Sequence, residues 1–307
     1  MRHRLTSFCI LLLFFLFLCF PHEVFQGASR GLDLWFRTVL PTLFPFVILS
    51  SLLLETNSIH YMTDLVYPIL RPLLGVSKAG SFAVIVGFLC GYPMGAKITA
   101  QLFSAKKITE QEAGYLLSFC NNASPVFIID YIAAVILKNV WPVSRILLIL
   151  IAAPLIVSIP YRFFYLTGSR LCAGTLPAPS GSARSRDTFI LLNNAILNGF
   201  ETLIYVAGYI MLFTIILTIG AHLCSMPRLL CLLANLEITS GLLFLRQLPL
   251  TETQLLLLVL PMASFGGVCS IFQTRCMLRG TSISIRPYIT EKLVTALVTS
   301  LLTIVFL

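Results

Sequence analysis

"GFLCGYPMGAKITAQLF", Gly87–Phe103, carries three glycines, a proline and a lysine in its first eleven residues, inside a run that is otherwise apolar. Glycine and proline interrupt helices, and an intramembrane cation is expensive. One reading is a kinked spanning helix packed against its neighbours. The other is a helical hairpin that turns within the bilayer at Gly91, Pro93 and Gly95. Irregular backbone at that depth leaves N–H and C=O groups without partners, which is tolerated only where protein or a water-filled cavity supplies them. In the hairpin reading those free groups are directed at a bound solute or ion. A matching break at "LEITSG", Leu236–Gly241, favours the hairpin.

The rest of the chain sets that turn in lipid. Of 307 residues 58% are hydrophobic and 11% charged, against about a quarter charged in soluble proteins. The chain reads as an all-α polytopic membrane protein. A spanning helix needs about 20 apolar residues, which leaves no room for a separate extramembrane enzyme domain. The net charge of +9 comes from Lys and Arg scattered singly between apolar runs, the pattern of positive-inside loops rather than of nucleic-acid binding. The nine cysteines form no CxxC pair and read as small core or lipid-phase residues. No His cluster, Ser-His-Asp set, nucleotide loop or metal spacing occurs, so neither an enzyme, a cofactor nor a metal is expected.

Full spans are expected at roughly 5–20, 38–54, 122–138, 143–163, 202–223, 253–273 and 288–307, with broken segments at 79–104 and 227–247. The N-terminus, "MRHRLTSFCILLLFFLFLCF", has a basic start and a short apolar core but no A-x-A-like site, and reads as an uncleaved span. Arg2 and Arg4, then Arg71, Lys78, Lys106 and Lys107, then Arg162, Arg170, Arg184 and Arg186, then Arg275, Arg279 and Arg286 all fall on the cytoplasmic side only if both broken segments are re-entrant.

"TGSRLCAGTLPAPSGSARSRD", Thr167–Asp187, is rich in Gly, Ser, Pro and Ala and reads as a flexible linker. It gives an organisation of an N-terminal helix (1–24), a first repeat (25–166), the linker (167–187), a second repeat (188–287) and a C-terminal helix (288–307). Each half begins with an amphipathic approach, "FQGASRGLDLWFRTV" or "TFILLNNAILNGFETL", followed by a span, a broken segment, a polar interval and another span. Gly91 to Asn121 is 30 positions, as is Glu237 to Gly267. Broken segments entering from opposite sides make these inverted repeats, a layout of many secondary transporters.

Candidate solute-binding residues are Gly91, Tyr92, Pro93, Gly95, Lys97, Asn121, Asn122, Ser124, Glu237, Thr239, Gly241, Ser264, Gly266, Gly267 and Gln273, with Asp130 and Glu237 as candidates for ion or proton coupling. Lys97 either faces an anionic group of the solute or snorkels to the interface. Glu237, in "CLLANLEITSGLLFL", has no basic neighbour in sequence. It accepts from a solute, holds a proton or sodium ion, or pairs with Lys97. "NNASP", Asn121–Pro125, reads as the capped start of a helix whose free N–H groups attract anions. Asp130 is an ion ligand or proton carrier, or faces the outer vestibule. Around Gly266 and Gly267 the small residues serve either ligand approach or close helix packing.

With those residues in hand, the chain resembles the YlbJ-type sporulation integral membrane proteins of the nucleoside recognition, or Gate-domain, group. The resemblance rests on "LPTLFPFVILSSLL", "GFLCGYPMGAKI", "ITEQEAGYLLSFCNNASPVFI" and "FGGVCSIFQT", and runs from about residue 30 to residue 300. It implies a fold similar to concentrative nucleoside transporters, and a multi-pass protein of a bacterial membrane, in the mother cell or outer forespore membrane, that exports dipicolinic acid from the mother cell. That solute's two carboxylates suit Lys97, the Asn121–Pro125 cap and the backbone donors at Gly91–Gly95 and Gly266–Gly267. The expected partners are thus a small anionic solute, the lipid bilayer, a coupling proton or sodium ion and, in a homo-oligomer, further copies of the chain. A nucleoside or nucleobase carrier and a non-transporting assembly protein are the alternatives.

Overall fold

The computed structural model describes residues 2–56, 58–167, 188–224 and 226–307, and most of the linker expected at 167–187 lies outside the described residues. The described residues are helical with short connections. Among them, five helices are long and apolar enough to cross a membrane: Pro21–Glu55, Val143–Leu166, Phe189–Leu223, Glu252–Met277 and Ile285–Val305. They contain the expected spans at 38–54, 143–163, 202–223 and 253–273, and all but the last two residues of 288–307.

The chain begins with α1 (Arg2–Cys19) and then α2 (Pro21–Leu34), which runs through a π-helical turn at Trp35–Val39 into α3 (Leu40–Glu55). The approach segment expected before the first span is therefore part of one continuous helix. The same holds in the second half, where α9 (Thr188–Leu223) is a single helix of 36 residues. At about 1.5 Å per residue this is roughly 54 Å, well beyond the ~30 Å hydrocarbon core. These two long helices pack on each other through Gly27 and Gly31. A Cβ on Gly27 would lie 2.7 Å from the Ile215 Cα, and one on Gly31 3.0 Å from the Met211 Cα. Gly27–Gly31, "GASRG", is the small-xxx-small device that lets membrane helices approach closely.

Between the long helices lies the first broken segment. Helix α4 (Ile59–Leu74) is bent 93° from α5 (Lys78–Cys90). It exposes Tyr61, Leu65, Ile69 and Leu73 at four-residue spacing, an apolar stripe suited to a lipid interface. A three-residue turn joins α5 to α6 (Met94–Ser104), and the two arms pack together as a hairpin. Next comes α7 (Glu110–Cys120), started by Thr109, whose hydroxyl accepts from the Glu112 amide at 3.1 Å. Helical structure stops at Asn121–Ser124, resumes at Pro125 and runs into a π-helical segment, Phe127–Ile136. The continuous span expected at 122–138 is thus half of a broken element, because Asn121 and Asn122 turn their side chains to distant partners.

After α8 (Val143–Leu166) and α9, the second half repeats this order in shorter form. Helix α10 (Pro227–Leu233), a 3-10 turn (Ala234–Leu236) and α11 (Ile238–Arg246) make the second broken segment. Helix α12 (Glu252–Phe265) starts at a capping box of Thr251 and Gln254, then breaks at Gly266 before α13 (Gly267–Met277). Helix α14 (Ile285–Val305) closes the chain. It turns Leu293, Leu297, Leu301 and Ile304 outward and buries Tyr288, Glu291, Lys292, Thr295, Thr299 and Thr303. The threonine hydroxyls donate to carbonyls four residues back, which satisfies them within the helix.

Candidate functional site

The hairpin turn is stitched to the break that follows α7. Gly91 has φ +79°, and a Cβ there would lie 2.7 Å from the Ser124 amide nitrogen. Only glycine adopts that backbone at low cost while allowing such an approach. The Tyr92 N–H donates to the Asn122 carbonyl at 2.7 Å, and the Ala96 N–H to the Asn121 Oδ1 at 3.4 Å. Gly95 has another use: α6 rests on the Cys120 carbonyl oxygen, which would be 2.2 Å from an added Cβ.

The break itself holds an array of side-chain hydrogen bonds to the last two helices. Asn121 Nδ2 donates to Thr274 Oγ1 at 2.9 Å and to the Tyr288 hydroxyl at 2.8 Å. Asn122 Nδ2 donates to the Phe119 carbonyl, and its Oδ1 accepts from Lys292 Nζ at 2.8 Å. The expected cap at "NNASP" is Ser124, whose Oγ accepts from the Phe127 amide at 3.2 Å.

In the second half, Glu237 is 1% exposed. Its carboxylate caps α11, accepting from the Thr239 and Ser240 amides at 3.0 and 2.7 Å and from the Ser240 hydroxyl at 2.6 Å. A carboxylate at the positive end of a helix neutralises it locally. Helix α13 is different. It begins at two left-handed glycines, Gly266 at φ +85° before it and Gly267 at φ +77° as its first residue, with no side-chain cap.

These pieces enclose a cavity of about 40 Å³, enough for roughly one to three waters. Gly91 and Tyr92 of the hairpin turn, Ser124 and Phe127 of the first break, Glu237–Thr239 of the second segment, and Gly266, Cys269, Ser270 and Gln273 of the second break line it, with Thr42, Val206 and Ile210 from the long helices. The N-termini of the segment after Ser124, of α11 and of α13 therefore meet at one point. The Tyr92 hydroxyl is buried there without a hydrogen-bond partner among the described residues. Gln273 Nε2 donates to Cys269 Sγ at 3.3 Å.

Of the residues expected to bind solute, Gly91, Tyr92, Ser124, Glu237, Thr239, Gly266 and Gln273 line this cavity. Pro93, Gly95, Asn121, Asn122, Gly241, Ser264 and Gly267 stand behind it as packing or hydrogen-bonding residues. Lys97 is elsewhere. Its Nζ donates to Thr202 Oγ1 at 2.6 Å in an open groove of about 780 Å³, shared with Gln101, Asn198, Glu201, Tyr205 and Arg279. That groove continues from the cavity by about one turn along α9 and α13, where Val206 and Gln273 give way to Thr202 and Cys276. Asp130 is exposed and forms no part of the cavity lining.

The buried cation is one the sequence reading passed over. Lys292 is 1% exposed, and its Nζ lies 2.8 Å from Asn122 Oδ1 and 3.4 Å from the Ser264 carbonyl. Asn122 sits just past the C-terminus of α7 and Ser264 in the last turn of α12, so the ammonium stands at the negative ends of two helices. The signal was available: Glu291 and Lys292 adjoin inside the last apolar run, and charge within a span marks a partner or a path.

Residues 36–138 match the nucleoside recognition, or Gate, family model. The Gate match thus covers α3, the first hairpin and the first break. Over 262 residues the chain is 30% identical to the sporulation integral membrane protein YlbJ of Bacillus subtilis strain 168, an alignment covering 77% of this chain and 61% of that protein. The chain therefore spans about three fifths of the relative's length. No solved structure matches.

Proposed function

We propose that this chain is a membrane carrier of a small organic anion, with dipicolinate the first solute to test, and not an enzyme. The carrying observation is the cavity where both broken segments and both helix breaks converge, at which the Tyr92 hydroxyl has no hydrogen-bond partner among the described residues and α13 starts without a side-chain cap. Helix N-termini favour anions. In this reading the halves are inverted repeats in the manner of concentrative nucleoside transporters. A planar dicarboxylate needs more room than the roughly one to three waters this cavity holds, so in this reading the cavity widens along α9 and α13 to admit it from the groove. Lys97 and Arg279 raise the local anion concentration in that groove. The name of the YlbJ relative supports a role in sporulation; a location in the mother-cell or outer forespore membrane is part of this proposal.

A second reading rests on the description of the matched family, nucleoside recognition, with the Gln273 amide and Tyr92 hydroxyl meeting a base or sugar. Purified protein in liposomes separates the two. Labelled dipicolinate is expected to accumulate while labelled uridine does not, and Tyr92→Phe is expected to lower dipicolinate uptake without loss of folded protein. Uridine uptake alone overturns the anion reading. Movement of neither solute supports an assembly role instead.

A further inference from the structure

A second cavity, of about 140 Å³, lies between α7, α8 and α14, lined by Glu110, Gly114, Leu117, Tyr165, Tyr288 and Glu291 among others. Glu291 is 2% exposed on a helix long and apolar enough to span the membrane. One carboxylate oxygen, Oε1, accepts from the Tyr165 hydroxyl at 2.5 Å. The other, Oε2, is buried with no hydrogen-bond partner among the described residues. A buried carboxylate oxygen without a donor is costly. At the cavity's other side Glu110 is exposed and accepts from the Ser282 hydroxyl at 3.1 Å, so the space connects Glu291 to water at the start of α7.

We propose that Glu291 is the proton-binding carboxylate of this protein, and that its protonation couples solute movement to a pH gradient; the coupling half rests on the carrier reading above. The step is a simple transfer. Oε2 takes a proton from a water or hydronium ion in the cavity and returns it to water on release, and no other bond changes. The surroundings select a proton over a metal cation. The titratable or charged groups facing Glu291 are Glu110 of α7, Tyr161 and Tyr165 of α8, and Tyr288 and Lys292 of its own helix, while α12 presents Ser264 to the neighbouring Lys292. This is one buried carboxylate among phenols, with an ammonium on the next residue that repels a second cation. Glu291 is also placed to transmit the change. Tyr288 and Lys292, on either side of it, hold Asn121 and Asn122, whose carbonyl in turn holds the Tyr92 amide beside the solute cavity.

Two measurements on the full chain in liposomes test this. In the first, Glu291→Gln is expected to retain exchange of labelled dipicolinate across the membrane while losing accumulation driven by an imposed pH gradient. The wild type does both. In the second, infrared difference spectra between acidic and alkaline buffer are expected to show a protonated-carboxyl band that disappears in Glu291→Gln and persists in Glu112→Gln, a control for another buried carboxylate with an unpartnered oxygen. Gradient-driven accumulation by Glu291→Gln at the wild-type level overturns the coupling. A carboxyl band unchanged in Glu291→Gln overturns the proton site itself. If the wild type moves no solute, the carrier reading falls, and the infrared band still decides whether Glu291 takes the proton.

Discussion

The two helix breaks occupy matching places in the two halves, yet they are built from opposite materials. The first, Asn121–Ser124, is filled with side chains that reach Thr274, Tyr288 and Lys292. The second, at Gly266 and Gly267, has two left-handed glycines and no side-chain cap. Polar groups cut from a helix inside a membrane must find partners. Side-chain amides provide them permanently at the first break, while the glycines leave the first amides of α13 without a capping side chain at the second. One break therefore anchors the molecule, and in the carrier reading the other binds the solute. Electrostatics divides the same way: helix C-termini converge on the Lys292 ammonium, and helix N-termini on the cavity.

The largest expected effect breaks the anchor. Asn122→Leu keeps the side-chain size but removes the oxygen that accepts from Lys292, and is expected to cost about 2 kcal/mol or more in unfolding measured in detergent. Adding Lys292→Met is expected to restore most of that, since replacing both members of a buried polar pair is far less costly than orphaning one. An Asn122→Leu protein as stable as wild type would remove the distinction between anchoring and binding breaks.

How much of this was legible in the sequence follows from the range of the interactions. The hairpin turn at Gly91 and the cap within Asn121–Pro125 are set within a few residues by proline, glycine and hydroxyl chemistry, and the structure has both of them. Irregular backbone in lipid is rare, and it pointed to Gly91, Tyr92, Glu237 and Thr239, which line the cavity. What was lost depended on helices far apart in sequence. The position of Lys97 two residues past the turn leaves it open between a solute anion and the interface, and helical geometry carries it past the cavity to Thr202, a partner 105 positions away. For Asp130, sequence depth cannot choose between an ion ligand and a vestibule residue; it is exposed and outside the cavity lining. Glu237, whose free charge suggested a ligand, is satisfied by its own helix. The polar face of α14 was hidden by treating residues 288–307 as one apolar run, although Thr295, Thr299 and Thr303 recur at four-residue spacing on the side of Glu291 and Lys292.

A smaller effect sharpens the binding break. Gly266→Ala demands a side chain at φ +85°, with its Cβ 2.7 Å from Ser270 Oγ and 3.6 Å from the Tyr92 ring. The left-handed backbone alone is expected to cost about 1–2 kcal/mol. The functional loss should exceed the loss of stability, because the methyl group intrudes between two cavity-lining residues. Uptake that falls only in proportion to the folded fraction would mean that this break, like the first, is purely structural.

The smallest effect concerns the groove. Lys97→Gln keeps a donor for Thr202 and removes only a charge that is partly exposed to solvent, so stability should change by less than about 0.5 kcal/mol. If the lysine gathers anions without holding them, the variant needs more dipicolinate for half-maximal uptake but reaches the same maximum. The difference should then shrink as salt screens the charge over about 8–10 Å. Uptake lost at saturating dipicolinate and at every salt concentration would instead mean that Lys97 moves into the binding site when the cavity opens. The anion would then owe its recognition to a lysine of the first half rather than to the uncapped helix of the second.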